Sequence, residues 1–164
     1  MSLSSYKHSV VDAVAGVLAP LGFRKSGSKF SRSLSDVVHL VSVQSSVSST
    51  ASLLRATVNL GIWIPALADD GAKPDIWAAH WRERLGFLMP NATDRWWEAR
   101  SDREAAAAAL EIGHALRTFA LPVLDSLATA DAVAALWRSG RSPGLTERGA
   151  QRYLDALDRG RGAG

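Results

Sequence analysis

The stretch from Leu53 to Ile64 alternates between two kinds of side chain, and a period of two is the signature of a β-strand. One set is apolar and consists of Leu54, Ala56, Val58, Leu60, Ile62 and Ile64. The other set consists of Arg55, Thr57, Asn59, Gly61 and Trp63. We therefore expect a half-buried antiparallel strand whose first set enters the core and whose second set faces away from it.

Further strands are predicted on both sides of this one. Lys29–Leu34 and Val37–Val47 also alternate, and Ser35-Asp36 between them is a turn signal. Trp81–Leu88 could continue a preceding helical turn or form a strand, and we favour a strand because Gly86 weakens a helix. With Pro90-Asn91 as the turn, we expect this strand to pair with Arg95–Arg100.

Helical periodicity dominates the two ends of the chain. Ser4–Leu21 carries apolar residues at three- and four-residue spacing. Ser101 and Glu104 form a capping box before an alanine-rich helix, which Pro122 is expected to interrupt. Two last helices are predicted, over Ala130–Ser139 and Pro143–Leu157.

A helix, several strands and then helices indicate an α+β fold. We expect an antiparallel meander sheet of about five strands, with the N-terminal helix and the C-terminal helices packed on one face and the other face partly open. Residues 1–158 should form a single domain, followed by a frayed tail over residues 159–164. A functional site would lie on the open face.

Composition narrows the possible functions. The net charge of +3 is too small to imply a nucleic-acid partner, because such binding needs clustered cations. The absence of cysteine excludes disulfides and thiol chemistry. No segment approaches the ~18 consecutive apolar residues of a membrane-spanning helix, so we expect a cytoplasmic protein without a membrane segment.

No catalytic or metal-binding motif is evident. The four histidines, His8, His39, His80 and His114, lack metal-ligand spacing, and we expect no metal and no cofactor. GFRKSGSKF, from Gly22 to Phe30, lacks the end of a P-loop and is interpreted as a helix terminator followed by a basic turn. Glu83 and Glu98 could approach each other across a hairpin, but nearby arginines favour ion pairs over a general acid.

The polar side chains of the strands are the better candidates for a site. Gln44, Asn59, Arg82 and Arg84 could converge on one sheet face together with Arg32. Two arginines and two amides would suit a carboxylate, a phosphate or an acidic protein side chain. The alternative is that these groups bond to one another and only tie the sheet to its loops.

Tryptophan is abundant, with six residues at positions 63, 77, 81, 96, 97 and 137. Trp96 and Trp97 are adjacent on a predicted strand, so their rings should point to opposite faces. One should join the core, and the other should lie on the open face or at an interface. Tryptophan beside arginine is typical of the residues that dominate binding to protein partners.

Five short stretches in order carry a family resemblance: LGFRKSGSKFSR, VSVQSS, TVNLGIWIP, RERLG and DRWWE. This succession, over about Leu18–Glu98, resembles the bacterial family called domain of unknown function 4304 (DUF4304). The resemblance implies a mixed helix-and-sheet fold and carries over no activity, cofactor or catalytic residue. The region after Ala130 departs from the pattern.

Two functions remain open from the sequence. One is a non-catalytic binding module that recognises a protein partner, immunity-like or regulatory, through the face that bears Arg32, Gln44, Asn59, Arg82, Arg84, Trp96 and Trp97. The other is an enzyme, or a binder of a small anionic ligand, that uses the arginines and amides of this face. Nucleic acid is the least favoured partner, and the oligomeric state is open.

Overall fold

The computed structural model describes residues 3–163 and shows an α+β fold. The six strands are β1 (Arg24–Ser26), β2 (Lys29–Ser33), β3 (Val38–Ser45), β4 (Leu54–Trp63), β5 (Trp81–Arg84) and β6 (Trp97–Ala99). The six α-helices are α1 (Leu3–Leu18), α2 (Leu85–Leu88), α3 (Asp102–Ala115), α4 (Leu121–Ser126), α5 (Ala130–Arg138) and α6 (Glu147–Gly162). The α+β class and the antiparallel meander are confirmed.

The sheet follows the order of the sequence from β1 to β5, and every pair is antiparallel. β6 also pairs with β4, through Leu54–Ala56, whereas β5 pairs with Asn59–Ile62. Because β3 occupies one side of β4, the two short strands lie end to end along the other side. The predicted hairpin between Trp81–Leu88 and Arg95–Arg100 is therefore wrong, since each half pairs with β4 instead.

The inner face of the sheet is the one that carries Val58, Leu60 and Ile62, all fully buried. Helix α1 packs on this face over β3 and β4, and α3 packs on α1 and β6. The predicted core set of β4 is confirmed, because each of its six residues is at most 1% exposed.

The outer face is the opposite side of the sheet, and a loop covers part of it. Ile76 and Ala79 bury Val38, Leu40 and Trp63 in a second, smaller apolar cluster. A Cβ at Gly61 would lie 2.7 Å from Ile76 Cδ1, so this glycine lets the loop rest directly on the strand. Thr57 and Asn59 point away from the core as predicted, yet they are 0% and 6% exposed.

The helical segment that begins with α3 continues past Pro122. Leu116–Ala120 forms a π-helical turn between α3 and α4, and this wider turn accommodates Pro122, which has no N–H to donate. Within residues 3–163, Asp102–Ser126 is the single segment long and apolar enough to cross a membrane, by length and composition only. Half of its most apolar window is buried inside the domain, as in the core helix of a soluble protein, so this is weak evidence for a membrane span.

The last two helices close one end of the sheet. Trp137 of α5 stacks on Tyr153 of α6, and Tyr153 meets the ring of His80 edge-on at 5.1 Å. Helix α6 continues to Gly162, so residues 159–162 of the predicted frayed tail are helical. Arg161 pairs with Asp131 of α5 and holds this last turn in place.

Candidate functional site

Strand register places residues of the outer face, most of them polar, in two straight rows across the sheet. The first row joins Ser26, Lys29, Ser42, Asn59 and Arg84 through successive cross-strand pairs. The second row joins Arg24, Ser31, Leu40, Gly61 and Arg82 in the same way. Both rows begin and end near cations, and the loop that carries Ile76 crosses the sheet between the two ends.

Two cavities open on this face, one on each side of Ile76. The β5 cavity has a volume of about 400 Å³ and is lined by Asn59, Leu60, Ile76, Trp77, Arg82, Glu83, Arg84, Phe87, Asp94 and Gly144. The β1 cavity has a volume of about 290 Å³ and lies over β1, β2 and β3. The β5 cavity holds three of the residues predicted from the sequence to form the site, Asn59, Arg82 and Arg84.

The guanidinium groups of the β5 cavity are held by neighbouring groups. Arg84 Nη1 donates to Asp94 Oδ2 at 2.6 Å, and its guanidinium lies 5.3 Å from the Trp96 ring centre. Arg82 Nη1 donates to the Trp77 carbonyl oxygen at 3.0 Å. Each guanidinium carries five N–H donors, so both keep donors for a ligand.

The amides pair with each other. Asn59 Nδ2 donates to Gln44 Oε1 at 2.9 Å, which matches the alternative in which these groups tie neighbouring strands together. Asn59 lines the β5 cavity, whereas Gln44 is not part of its lining.

Arg32 is not part of this face. It pairs with His39 of β3 in the same register that puts Phe30 opposite Val41, so its side chain is on the inner side of the sheet. The expectation that Arg32 joins Gln44, Asn59, Arg82 and Arg84 is therefore wrong. The sequence could have indicated this position, because Arg32 is two residues from Phe30 and residues two apart on a strand share a face. Phe30 is buried in the core.

The tryptophan pair divides as expected. Trp97 is 3% exposed and belongs to the core, whereas Trp96 is half-buried beside Arg84. Period two explains this division even though the strand begins only at Trp97.

Glu83 and Glu98 do not meet. Glu98 lies opposite Arg55 in the register and forms ion pairs with Arg55 and Arg100, as predicted. Glu83 lies opposite Leu60 and has no ion pair within residues 3–163. Burial raises the pKa of the Glu83 carboxyl, and the backbone N–H of Arg84, 3.0 Å from Oε1, opposes this shift. The predicted ion pair of Glu83 is therefore wrong.

Sequence reasoning missed the two exposed aromatic members of the β5 cavity. Trp77 is 52% exposed and Phe87 is 44% exposed, and both line the cavity. Phe87 lies in the stretch Trp81–Leu88 that was predicted as a strand, but this part of it forms α2 and Phe87 is exposed. Gly144 comes from the loop between α5 and α6, where a Cβ would lie 3.2 Å from Arg82 Cβ.

The fold and the cavities define a class of protein: an α+β domain with a partly covered sheet that carries arginines and aromatic side chains on its outer face. The chain belongs to the family described as domain of unknown function (DUF4304), whose model matches residues 14–126. This match extends from within α1 to the end of α4 and includes all six strands. No curated protein and no solved structure matches the chain.

Within residues 3–163, no group of three or more histidine, aspartate or glutamate side chains is placed to hold a metal ion. His39 and His80 are buried, and each forms a hydrogen bond within the domain. His39 Nε2 lies 2.9 Å from the Leu127 carbonyl oxygen, and His80 Nδ1 accepts from the backbone N–H of Ile64 at 2.9 Å.

Proposed function

We propose that this chain is a non-catalytic binding module that recognises an exposed segment of a protein partner at the β5 cavity. One observation supports this most: Trp77 and Phe87 are exposed beside Arg82 and Arg84 in a single cavity. Aromatic residues and arginine are the side chains that contribute most to binding at protein interfaces, especially where neighbouring residues exclude water.

The lining supports an expectation about the chemistry of that segment. Ile76, Trp77 and Phe87 offer an apolar surface, and the free N–H donors of Arg82 lie beside it. A partner would therefore present an apolar side chain next to a carboxylate. Glu83 and Asp94 in the same lining would repel a partner with several negative charges.

A small anionic ligand, or an enzyme that acts on one, is supported less well at this cavity. Such a site calls for convergent donors that have no partner within the protein, but Arg84 is bonded to Asp94 and Asn59 to Gln44. Asp94 and Glu83 also place negative charge in the lining.

The proposed binding to a protein partner takes place in the cytoplasm, in keeping with a chain that has no cysteine.

A displayed peptide library selected against the full chain tests this proposal. We expect the enriched peptides to combine an acidic residue with a neighbouring apolar residue. Trp77→Ala and Phe87→Ala should each weaken a selected peptide by about tenfold or more, as removal of a central contact does. Leu110→Ala is the matched control, because Leu110 is 78% exposed on α3, whose other face packs on α1.

Binding would be measured by calorimetry on variants whose thermal melts match the wild type. A selected peptide that loses affinity with Leu110→Ala and keeps it with Trp77→Ala would contradict the proposal. A library that yields no sequence enriched over an unrelated control protein would contradict it as well.

A further inference from the structure

The β1 cavity lies on the outer face, at the opposite end of the two rows from the β5 cavity. Its lining includes two cations, Arg24 and Lys29, and three hydroxyl groups, those of Ser26, Ser31 and Ser42. All five side chains are on one face, because Arg24 pairs with Ser31, Ser26 with Lys29, and Lys29 with Ser42. Directly paired residues have Cβ atoms about 4.5–5.5 Å apart, so the five donors form a compact patch.

Within residues 3–163, none of these five side chains forms a hydrogen bond or an ion pair with another group. Ser42 is 6% exposed and lines the cavity from β3. A ligand bound in the cavity could accept a hydrogen bond from this hydroxyl.

Lys25 differs from Arg24 and Lys29, because it lies on the other side of the hairpin and has an acidic partner. Lys25 lies between Arg24 and Ser26 in sequence, pairs with Phe30 and therefore points to the inner side of the hairpin. Its ammonium group is 3.9 Å from Asp12 of α1. Among the residues that the structure describes, the two cations on the outer side have no such acid within ion-pair distance.

We propose that the β1 cavity binds the phosphate group of a small phosphate monoester. The cavity offers five donor groups: a guanidinium, an ammonium and three hydroxyls. The two oxygens of a carboxylate cannot accept from all five groups, whereas the terminal oxygens of a phosphate can. The negative charge of the phosphate matches the two cations.

The other walls fit the organic part of such a ligand. Leu40, Pro74 and Ile76 give one side of the cavity an apolar surface, and a volume of about 290 Å³ exceeds the space that a phosphate ion fills. Asp75 is the one acid in the lining, and its Oδ1 accepts the backbone N–H of Trp77 at 3.1 Å. This site is separate from the β5 cavity, so its failure would leave the proposed function untouched.

Titration of the ¹⁵N-labelled full chain with phenyl phosphate tests the inference, with benzoate and inorganic phosphate as comparisons. We expect saturable shifts at the backbone amides of β1, β2 and Ser42, and tighter binding of phenyl phosphate than of either comparison ligand. Arg24→Gln and Lys29→Gln should each raise the Kd about tenfold, because each removes a charge-assisted hydrogen bond. Lys25→Gln removes the same charge from the other side of the hairpin and should change the Kd by less than about twofold.

Several results would overturn the inference. Equal weakening by all three substitutions would show general attraction of anions rather than a site. Tighter binding of benzoate than of phenyl phosphate would reject the phosphate assignment. Shifts centred on Arg82 and Arg84 would show that the ligand does not bind at the β1 cavity. The absence of a saturable shift up to about 10 mM ligand would show the same. Arg24 and Lys29 are exposed, so both variants should keep the melting temperature of the wild type.

Discussion

Arg32 and His39 form a hydrogen-bonded link between the sheet and the helices. Arg32 Nη2 lies 3.0 Å from His39 Nδ1 and 3.1 Å from Asp125 Oδ1. Because arginine can only donate, Nδ1 is the acceptor, and the proton of the neutral ring is therefore on Nε2, which donates to the Leu127 carbonyl oxygen. Arg32 thus has a structural role, whereas the sequence suggested a place in the site.

This arrangement predicts how stability depends on pH. Burial lowers the pKa of His39 in the folded protein, and Arg32 lowers it further, while the hydrogen bond to the Leu127 carbonyl and the charge of Asp125 oppose the shift. The unfolded chain takes up the proton near the ordinary value of about 6.5. The unfolded state therefore binds more protons below that pH, and the stability present above about pH 6.5 is lost as the pH falls towards the folded pKa.

Urea unfolding at about pH 7.5 and about pH 5.5 checks this prediction. The wild type should be less stable at the lower pH. His39→Gln should cost about 1–3 kcal/mol at the higher pH, because it disturbs a buried hydrogen bond, and should show a smaller difference between the two pH values. Burial also lowers the pKa of His80, so some pH dependence should persist in the variant. An unchanged difference would contradict the assignment to His39.

The segment from β5 to β6 shows how packing between elements overrides a local pattern. Trp81 and Trp97 are both buried against the inner face, and each reaches it by pairing its own strand with β4. The chain between them turns through α2, where Gly86 meets Thr93 and Arg95. Gly86 was taken as a reason against a helix, but its lack of a side chain is what allows this close approach.

Gly86→Ala should therefore destabilise the fold. An added Cβ would lie 2.6 Å from Arg95 Cβ and closer still to the Thr93 carbonyl oxygen, so the backbone must move. We expect a loss of about 1–3 kcal/mol in the free energy of unfolding, measured with denaturant. Gly16→Ala in α1 is the control, since no atom lies within 4 Å of its added Cβ and alanine favours a helix, by about 1 kcal/mol at most. Equal effects of the two substitutions would contradict the close packing at Gly86.

The sequence predicts some elements well and others poorly for physical reasons. Strand β4 was evident because its alternating side chains meet the core along its whole length. Strand β1 was missed because its three residues are all exposed and resemble a basic turn. The cap of α3 was found, since Ser101 accepts a hydrogen bond from the backbone N–H of Glu104, three positions later.

The whole molecule presents two cavities on one partly covered sheet face. The loop through Ile76 divides them, and Gly61 permits that division by letting Ile76 approach β4. Gly144, from the region beyond the family match, packs beside Arg82 and completes the β5 cavity. The loop between the two C-terminal helices thus contributes directly to the candidate site.

The candidate site could be predicted only in part. Alternation along single strands placed Asn59, Arg82 and Arg84 on one face, because neighbouring strands in a meander pair in order. Trp77, Phe87 and Gly144 come from loops and a short helix, whose positions depend on tertiary packing rather than on a local period. The β1 cavity was missed for the same reason as the strand that forms it.

Arg84 and Arg95 offer the most direct test of the claim that the β5 cavity binds a partner. Each donates to an acid at 2.6 Å, Arg84 to Asp94 and Arg95 to Glu111, and each lies over a tryptophan ring, at 5.3 and 5.4 Å. Only Arg84 lines the β5 cavity. The two residues therefore have nearly the same local interactions. They differ in position, because a partner in the β5 cavity could contact Arg84 there but not Arg95.

The decisive measurement is the affinity of a selected peptide for Arg84→Ala and Arg95→Ala, with the unfolding free energy of each variant measured alongside. Both substitutions should cost similar stability, about 0–1 kcal/mol, because both ion pairs are partly exposed. Only Arg84→Ala should lose affinity, by about tenfold or more. Equal affinities for the two variants, or loss of the folded state with Arg84→Ala alone, would show that Arg84 is a structural cross-link and contradict the proposed site.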